Sequence, residues 1–175
     1  EKVGVYIEKN VNGRWKKVGY STTVKPDKYD SIVLYGLEAG KYRLALKTPK
    51  DQIINVEYTR DKSKKKAAYK KSKAINLKSD IDSIYTSTEK AARWYKVSVS
   101  STKKRKAVTL SKDSVGGGFK FRVYQKGKRL KTVRVTKNDK VKTVKLPKKK
   151  GTYYVKVTKL TSKTTGAYYL GTYTY

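Results

Sequence analysis

The 175-residue chain has no cysteine, no histidine, no methionine and only three prolines. Without cysteine there is neither a disulfide framework nor a thiol nucleophile. Without histidine there is no imidazole base, and the two absences together exclude a Cys/His zinc site. The missing cysteines are compatible with secretion from a Gram-positive bacterium, where many exported proteins lack disulfides. Since Met is absent even at position 1, a processed mature form or a fragment of a longer protein is expected, with any signal peptide outside this numbering. No stretch approaches the roughly 18 consecutive apolar residues of a membrane span, so no membrane insertion is expected. Acid is scarce too: 13 Asp and Glu stand against 45 Lys and Arg, a formal net charge of +32.

What remains is basic, aromatic and β-forming. Only 37% of residues are apolar, yet 16 Tyr, two Trp, two Phe and many Val can fill a modest sandwich core, which argues against a disordered chain. The cations are overwhelmingly Lys. Base readout in a groove favours the planar fork of Arg with Asn or Gln, so sequence-specific DNA recognition fits poorly. Non-specific attraction to phosphate, sulfate or carboxylate polymers fits better, and non-specific nucleic-acid binding belongs to that class. Scattered Lys also solubilises outer strand faces and blunts sheet edges, and that ordinary use covers many of these residues.

Apolar and polar residues alternate with period two in many short segments. In YKVSV, Tyr95, Val97 and Val99 share one face and Lys96 and Ser98 the other. The same alternation places Phe119, Phe121 and Val123 inward, and likewise Val133 and Val135, then Tyr153, Val155 and Val157, and Tyr42, Leu44 and Leu46. Turns are signalled at Asn12–Gly13, Lys126–Gly127, Asn138–Asp139 and Gly116–Gly118. The last run lacks the Lys and Ser or Thr at a helix start that a phosphate-cradling loop needs, so a flexible turn is expected there. No segment carries a helical stripe of useful length. Residues 62–74 could form a short basic helix or stay irregular, and a linker is the favoured reading.

The chain also matches itself. GVYI from Gly4 aligns with GFKF from Gly118, and NGRWKKV from Asn12 with KGKRLKTV from Lys126. LEAGKYRLALKT from Leu37 parallels LPKKKGTYYVKVTK from Leu146, and INVEYT from Ile54 parallels YLGTYT from Tyr169. The expected fold is all-β, with hairpin-rich, antiparallel β-sandwich repeats. The expected organisation is a partial repeat over 1–60, a basic linker and lead-in over 61–78 and a complete repeat over 79–175. Two arrangements account for the shorter first copy. Its missing strands lie upstream in a parent protein, or residues 1–60 complete a sheet by pairing with the second copy or another molecule, allowing self-association through an open edge.

The order AINL, ARWYKVSV, AVTLSKD, FKFRVYQKGK, LPKKKGTYYVKVTK and GAYYLGTYTY resembles the bacterial pre-peptidase C-terminal domain family. The resemblance runs through about Ala67–Tyr175 in full and Val3–Arg60 in part, and rests on short core-alternation motifs. It implies a jelly-roll-like β-sandwich on secreted bacterial proteins, related to the collagen-binding modules of clostridial collagenases, non-catalytic and serving attachment or folding of a neighbour. Some members bind calcium through acidic residues near the domain start. Only Asp80 and Asp82 stand in the comparable place with few other carboxylates, which argues against a calcium site here.

No catalytic constellation is recognisable. Glu8, Glu38, Glu57 and Glu89 supply carboxylates, but their surroundings offer no support for paired acid–base chemistry. No catalytic residue, metal or cofactor is therefore expected. Most tyrosines should fill the core. Trp94, however, precedes inward Tyr95, and Tyr124 and Tyr154 fall on outward positions beside Lys120, Arg122 and Lys156. These six residues form the expected ligand-binding set, a basic face with exposed rings. The partner expected is an anionic cell-wall polymer, a glycan or extracellular matrix, at the surface of a bacterium or outside it. A structural spacer carrying another domain is the competing reading, and cover of Trp94 by residues 62–90 is the structural alternative for that ring.

Overall fold

In the computed structural model, the described residues are 2–30, 34, 36–37, 39–48, 53–57, 67–78, 80–85, 89–136 and 138–175. They form two compact units, one of Glu1–Leu34 with Glu38–Lys64 and the other of Tyr35–Leu37 with Lys65–Tyr175. Both are built from strands. Among the described residues, the single helical element is a 3-10 turn at Lys71–Lys73.

The first unit is a three-stranded antiparallel sheet of β1 (Val3–Val11), β2 (Arg14–Val24) and β3 (Tyr42–Lys47), ordered β2-β1-β3. A two-residue turn joins β1 to β2, with Asn12 and Gly13 both at positive φ (53° and 80°), the mirror-image turn whose twist suits a hairpin.

The second unit carries β4 (Ile75–Asn76), β5 (Ile81–Tyr85), β6 (Arg93–Val99), β7 (Lys106–Gly116), β8 (Phe119–Gln125), β9 (Lys128–Val135), β10 (Val141–Lys145), β11 (Gly151–Lys159) and β12 (Thr165–Thr174). One sheet runs β10-β7-β12-β5 and the other β4-β6-β11-β8-β9. Their inner faces close a β-sandwich around a core that includes Tyr95, Val97, Phe119, Phe121, Val123, Tyr153, Val155 and Val157 from the five-stranded sheet and Val108, Leu110, Val144, Tyr168 and Leu170 from the four-stranded one. The inward positions expected from alternation are thus buried on β6, β8 and β11. Across the two sheets, the hydroxyls of Tyr95 and Tyr168 meet at 2.5 Å, and both side chains are fully buried. A hydroxyl taken from water needs such a partner.

The structure bears on three expectations. The second unit is not hairpin-rich: of its consecutive strands only β8 and β9 pair with each other, while most other connections cross between sheets. Alternation fixes which face a strand buries but not its neighbour, and β4 even pairs parallel to β6. The segment expected as basic linker and lead-in over 61–78 is described only in part. From residue 67 onward the chain belongs to the second unit, with Ala68, Ala74 and Leu77 buried, whereas 61–66 lie outside the described residues. Glycines 117 and 118 form a packed turn, not a loose one, since a Cβ at Gly118 would stand 2.0 Å from the Val135 carbonyl oxygen.

The matched segments share sheet order and turn geometry. β9-β8-β11 repeats β2-β1-β3, and Lys126 and Gly127 (φ 46° and 79°) repeat Asn12 and Gly13. Their surroundings differ. β3 is an edge strand with Leu44 and Leu46 37% and 40% exposed, while the matching Val155 and Val157 are 0% exposed on central β11. Of INVEYT, residues 54–57 are not in a strand and 58–59 lie outside the described residues.

Asp139 holds the crossing from β9 to β10. Its carboxylate takes a 2.7 Å ion pair from Lys142, and the Thr136 N–H and hydroxyl donate to it at 2.9 and 2.7 Å. These bonds, Lys142 first, favour the charged form and hold the carboxyl well below its ordinary value. The contribution to stability is complete above the unfolded carboxylate pKa of about 4 and is lost as pH falls through the lower folded value. Asp139→Asn should therefore destabilise at neutral pH, with the difference from the parent shrinking as unfolding is measured below about pH 4. For the tyrosine pair, Tyr95→Phe and Tyr168→Phe should each cost about 1–2 kcal/mol. The double variant should cost less than the sum in denaturant melts.

A basic aromatic sheet face as candidate binding site

Opposite the core, the five-stranded sheet presents a face set by strand pairing. On β8 and β11, Tyr124 lies opposite Tyr154, Arg122 opposite Lys156 and Lys120 opposite Thr158. On β6, Lys96 and Trp94 stand opposite Tyr154 and Lys156. On β9, Arg129, Thr132 and Arg134 extend the rows beside Tyr124, Arg122 and Lys120. All six residues expected from the sequence thus converge on one surface, each half-buried.

Their contacts alternate ring and cation. The Trp94 and Tyr124 rings reach each other over β11, their centroids 5.7 Å apart at a tilt of 42°. Lys156 Nζ sits 5.2 Å from the Trp94 ring and Lys71 Nζ 4.6 Å from the Tyr154 ring. Such contacts hold ammonium groups on the face instead of leaving them to sweep through solvent. The segment before β6 approaches Trp94 through its backbone, where the Trp94 N–H donates to the Ala68 carbonyl at 2.8 Å, and the indole remains partly open.

Two cation pairs lie directly across strands, Lys156 with Arg122 and Lys120 with Arg134. Like charges in that relation destabilise a sheet. Arg122 first, then burial, then Arg134 lower the pKa of Lys120 from its ordinary value. An anion laid on this face relieves that repulsion, while the Trp and Tyr rings offer flat apolar area beside it.

Sequence parity put Lys96 outward without assigning it to this set and missed Lys71, Arg129 and Arg134, because membership of the face depends on strand order. It also missed a similar grouping in the first unit. There Arg43 packs over Trp15 at 4.4 Å and pairs with Glu8 at 2.7 Å, and Lys17 lies 3.8 Å from the Tyr6 ring. Glu89 pairs with Arg93 at 2.8 Å, so of the four glutamates named from the sequence Glu8 and Glu89 serve ion pairs. Asp80 accepts from the Tyr169 hydroxyl at 3.3 Å, and the Asp82 side chain lies outside the described residues. Among the described residues, no group of three or more acidic side chains is placed to hold a metal ion, and no helix is long and apolar enough to cross a membrane. If repulsion governs Lys120, Lys120→Gln should raise the melting temperature at low ionic strength. The gain should close as salt is added. A difference independent of salt would contradict the electrostatic assignment.

No family model matches the chain, and no curated protein matches it. Among solved structures, it is similar to the pre-peptidase C-terminal domain of collagenase from Bacillus anthracis, at 17% identity and a TM-score of 0.45, the match covering 65% of this chain and 100% of that one. That is the family its strand motifs resemble.

Proposed function

We propose that the chain is a non-catalytic module of a secreted bacterial surface protein, which holds anionic wall polymers, glycans or matrix on the outer face of its five-stranded sheet. The observation that carries this reading is the convergence of Trp94, Lys120, Arg122, Tyr124, Tyr154 and Lys156, brought from three strands to one face with cations stacked on rings. A solvated lysine coat needs no aromatic floor. In this reading the net charge of +32 attracts the polymer from a distance, and the rings add short-range contact. The first unit is a partial copy of the second, with the β3 edge open to pairing with another molecule.

The test is retention of the full chain on immobilised teichoic acid and on a sulfated glycosaminoglycan. The double variants Tyr124→Ala/Tyr154→Ala and Arg122→Ser/Lys156→Ser should each weaken retention tenfold or more while the protein stays folded. Retention equal to the parent's would refute the face. Preferential retention on DNA, with a steep salt slope that survives competition by wall polysaccharide, would move the assignment to nucleic acid. Failure to bind any of them would favour a spacer. Sedimentation of the parent as monomer at high concentration would remove the proposed edge pairing.

A further inference from the structure

The repeat within the chain shows what a strand in the place of β3 requires. β11, which β3 matches, has β8 on one side and β6 on the other. Tyr95 and Val97 of β6 lie opposite Val155 and Tyr153, and all four side chains are fully buried. β3 pairs with β1 on one side, and among the described residues no strand pairs with it on the other, which leaves Leu44 and Leu46 exposed.

Sheet edges are ordinarily blunted by cations, bulges or short length. β2 carries Arg14, Lys16 and Lys17 and a shift of register opposite Tyr6 and Glu8. β9 carries Lys128, Lys131 and Arg134 and a shift at Val123 and Tyr124. β4 is only two residues long. β3 instead runs against β1 in one unbroken register, and its one cation between Tyr42 and Leu46, Arg43, is held by Glu8 at 2.7 Å.

The backbone of β3 is aimed for pairing. The Asn10 N–H donates to the Lys41 carbonyl at 2.9 Å, so the groups of Lys41, and by alternation those of Arg43, Ala45 and Lys47, turn toward β1. Those of Leu44 and Leu46 turn to the other side. The side-chain pattern of β3 is also that of the strand missing beside it. Tyr42, Leu44 and Leu46 repeat Tyr95, Val97 and Val99 of β6, while Arg43 and Ala45 stand where β6 has Lys96 and Ser98. One strand thus carries the pattern of both members of a pair, which is the condition for an isologous contact about a twofold axis.

We infer that β3 pairs antiparallel with β3 of a second copy of this chain, Leu44 opposite Leu44. The inference names the occupant of the open edge in the proposed function and rests on that part of it alone, not on polymer binding. Centring the pair on Leu44 sets Leu46 against Tyr42 of the second copy and Arg43 against Ala45, so no cations oppose each other between Tyr42 and Leu46. Centring it on Arg43 or Ala45 would set Arg43 against itself or against Lys47, a destabilising relation across strands. A strand pair this short buries little surface, so the dimer is weak and concentration-dependent. Each copy carries a net charge of +32, so salt strengthens the association by screening it, the reverse of its effect on polymer binding.

Sedimentation velocity of the full chain, across concentration and salt, tests this. A reversible dimer is expected that tightens as salt rises. Leu44→Lys should weaken it tenfold or more, and so should Leu44→Pro, which removes an N–H that faces away from β1. Because the chain has no cysteine, single replacements report the register. At a hydrogen-bonded antiparallel pair the Cα atoms stand about 5.5 Å apart, within the span of a disulfide. Leu44→Cys should therefore oxidise to a covalent dimer, and Leu46→Cys, set opposite Tyr42, should not. A parent monomeric at every salt concentration, a dimer indifferent to Leu44→Lys and Leu44→Pro, or crosslinking of Leu46→Cys as readily as of Leu44→Cys would overturn the pairing. A monomer that still holds polymer would sink the pairing and leave the sheet face standing, whereas a dimer with this register that holds no polymer would do the opposite.

Discussion

The second unit depends on two inner sheet faces meeting without water between them. Tyr95, Phe119, Phe121, Tyr153 and Tyr168 supply much of the buried volume, and the hydroxyls of Tyr95 and Tyr168 satisfy each other across the interface. A protein with a net charge of +32 repels itself, so a cohesive interior is the condition for presenting so many cations at all. The connections serve the same end. By crossing between sheets at nearly every turn, the chain stitches the two layers together, and Gly118 lets β8 begin against the backbone of β9 with no room for a side chain.

Once the layers are fixed, strand pairing decides what the outside can do. Lys156 opposite Arg122, and Lys120 opposite Arg134, are unfavourable as parts of a bare sheet and favourable as parts of a surface that meets an anion. The Trp94 and Tyr124 rings sit among them.

Much of this was legible in the residues. Period-two alternation located the buried positions of β6, β8 and β11, because an inward Lys would have had no partner, and the same parity put Trp94, Tyr124 and Tyr154 outside. The Asn12–Gly13 and Lys126–Gly127 turns were readable from the conformational freedom of their residues. Strand order was not. Which strand lies beside β6 is settled by long-range packing, so the hairpin-rich topology was wrong for the second unit, Lys71, Arg129 and Arg134 escaped notice, and Lys96, though read as outward, was not joined to the set. The lead-in from residue 67 looked like linker because its buried residues, Ala68, Ala74 and Leu77, are too few and too irregularly spaced to mark a strand.

The most direct test of the packed interior is amide hydrogen exchange of the intact chain, resolved by residue. Amides of β6, β7, β8, β11 and β12 should exchange slowest and share one opening free energy, that of global unfolding of the sandwich, while β3, with its exposed leucines, exchanges faster. Exchange from β8 and β11 as fast as that from β3, or separate opening of the two sheets, would contradict a single core closed between them.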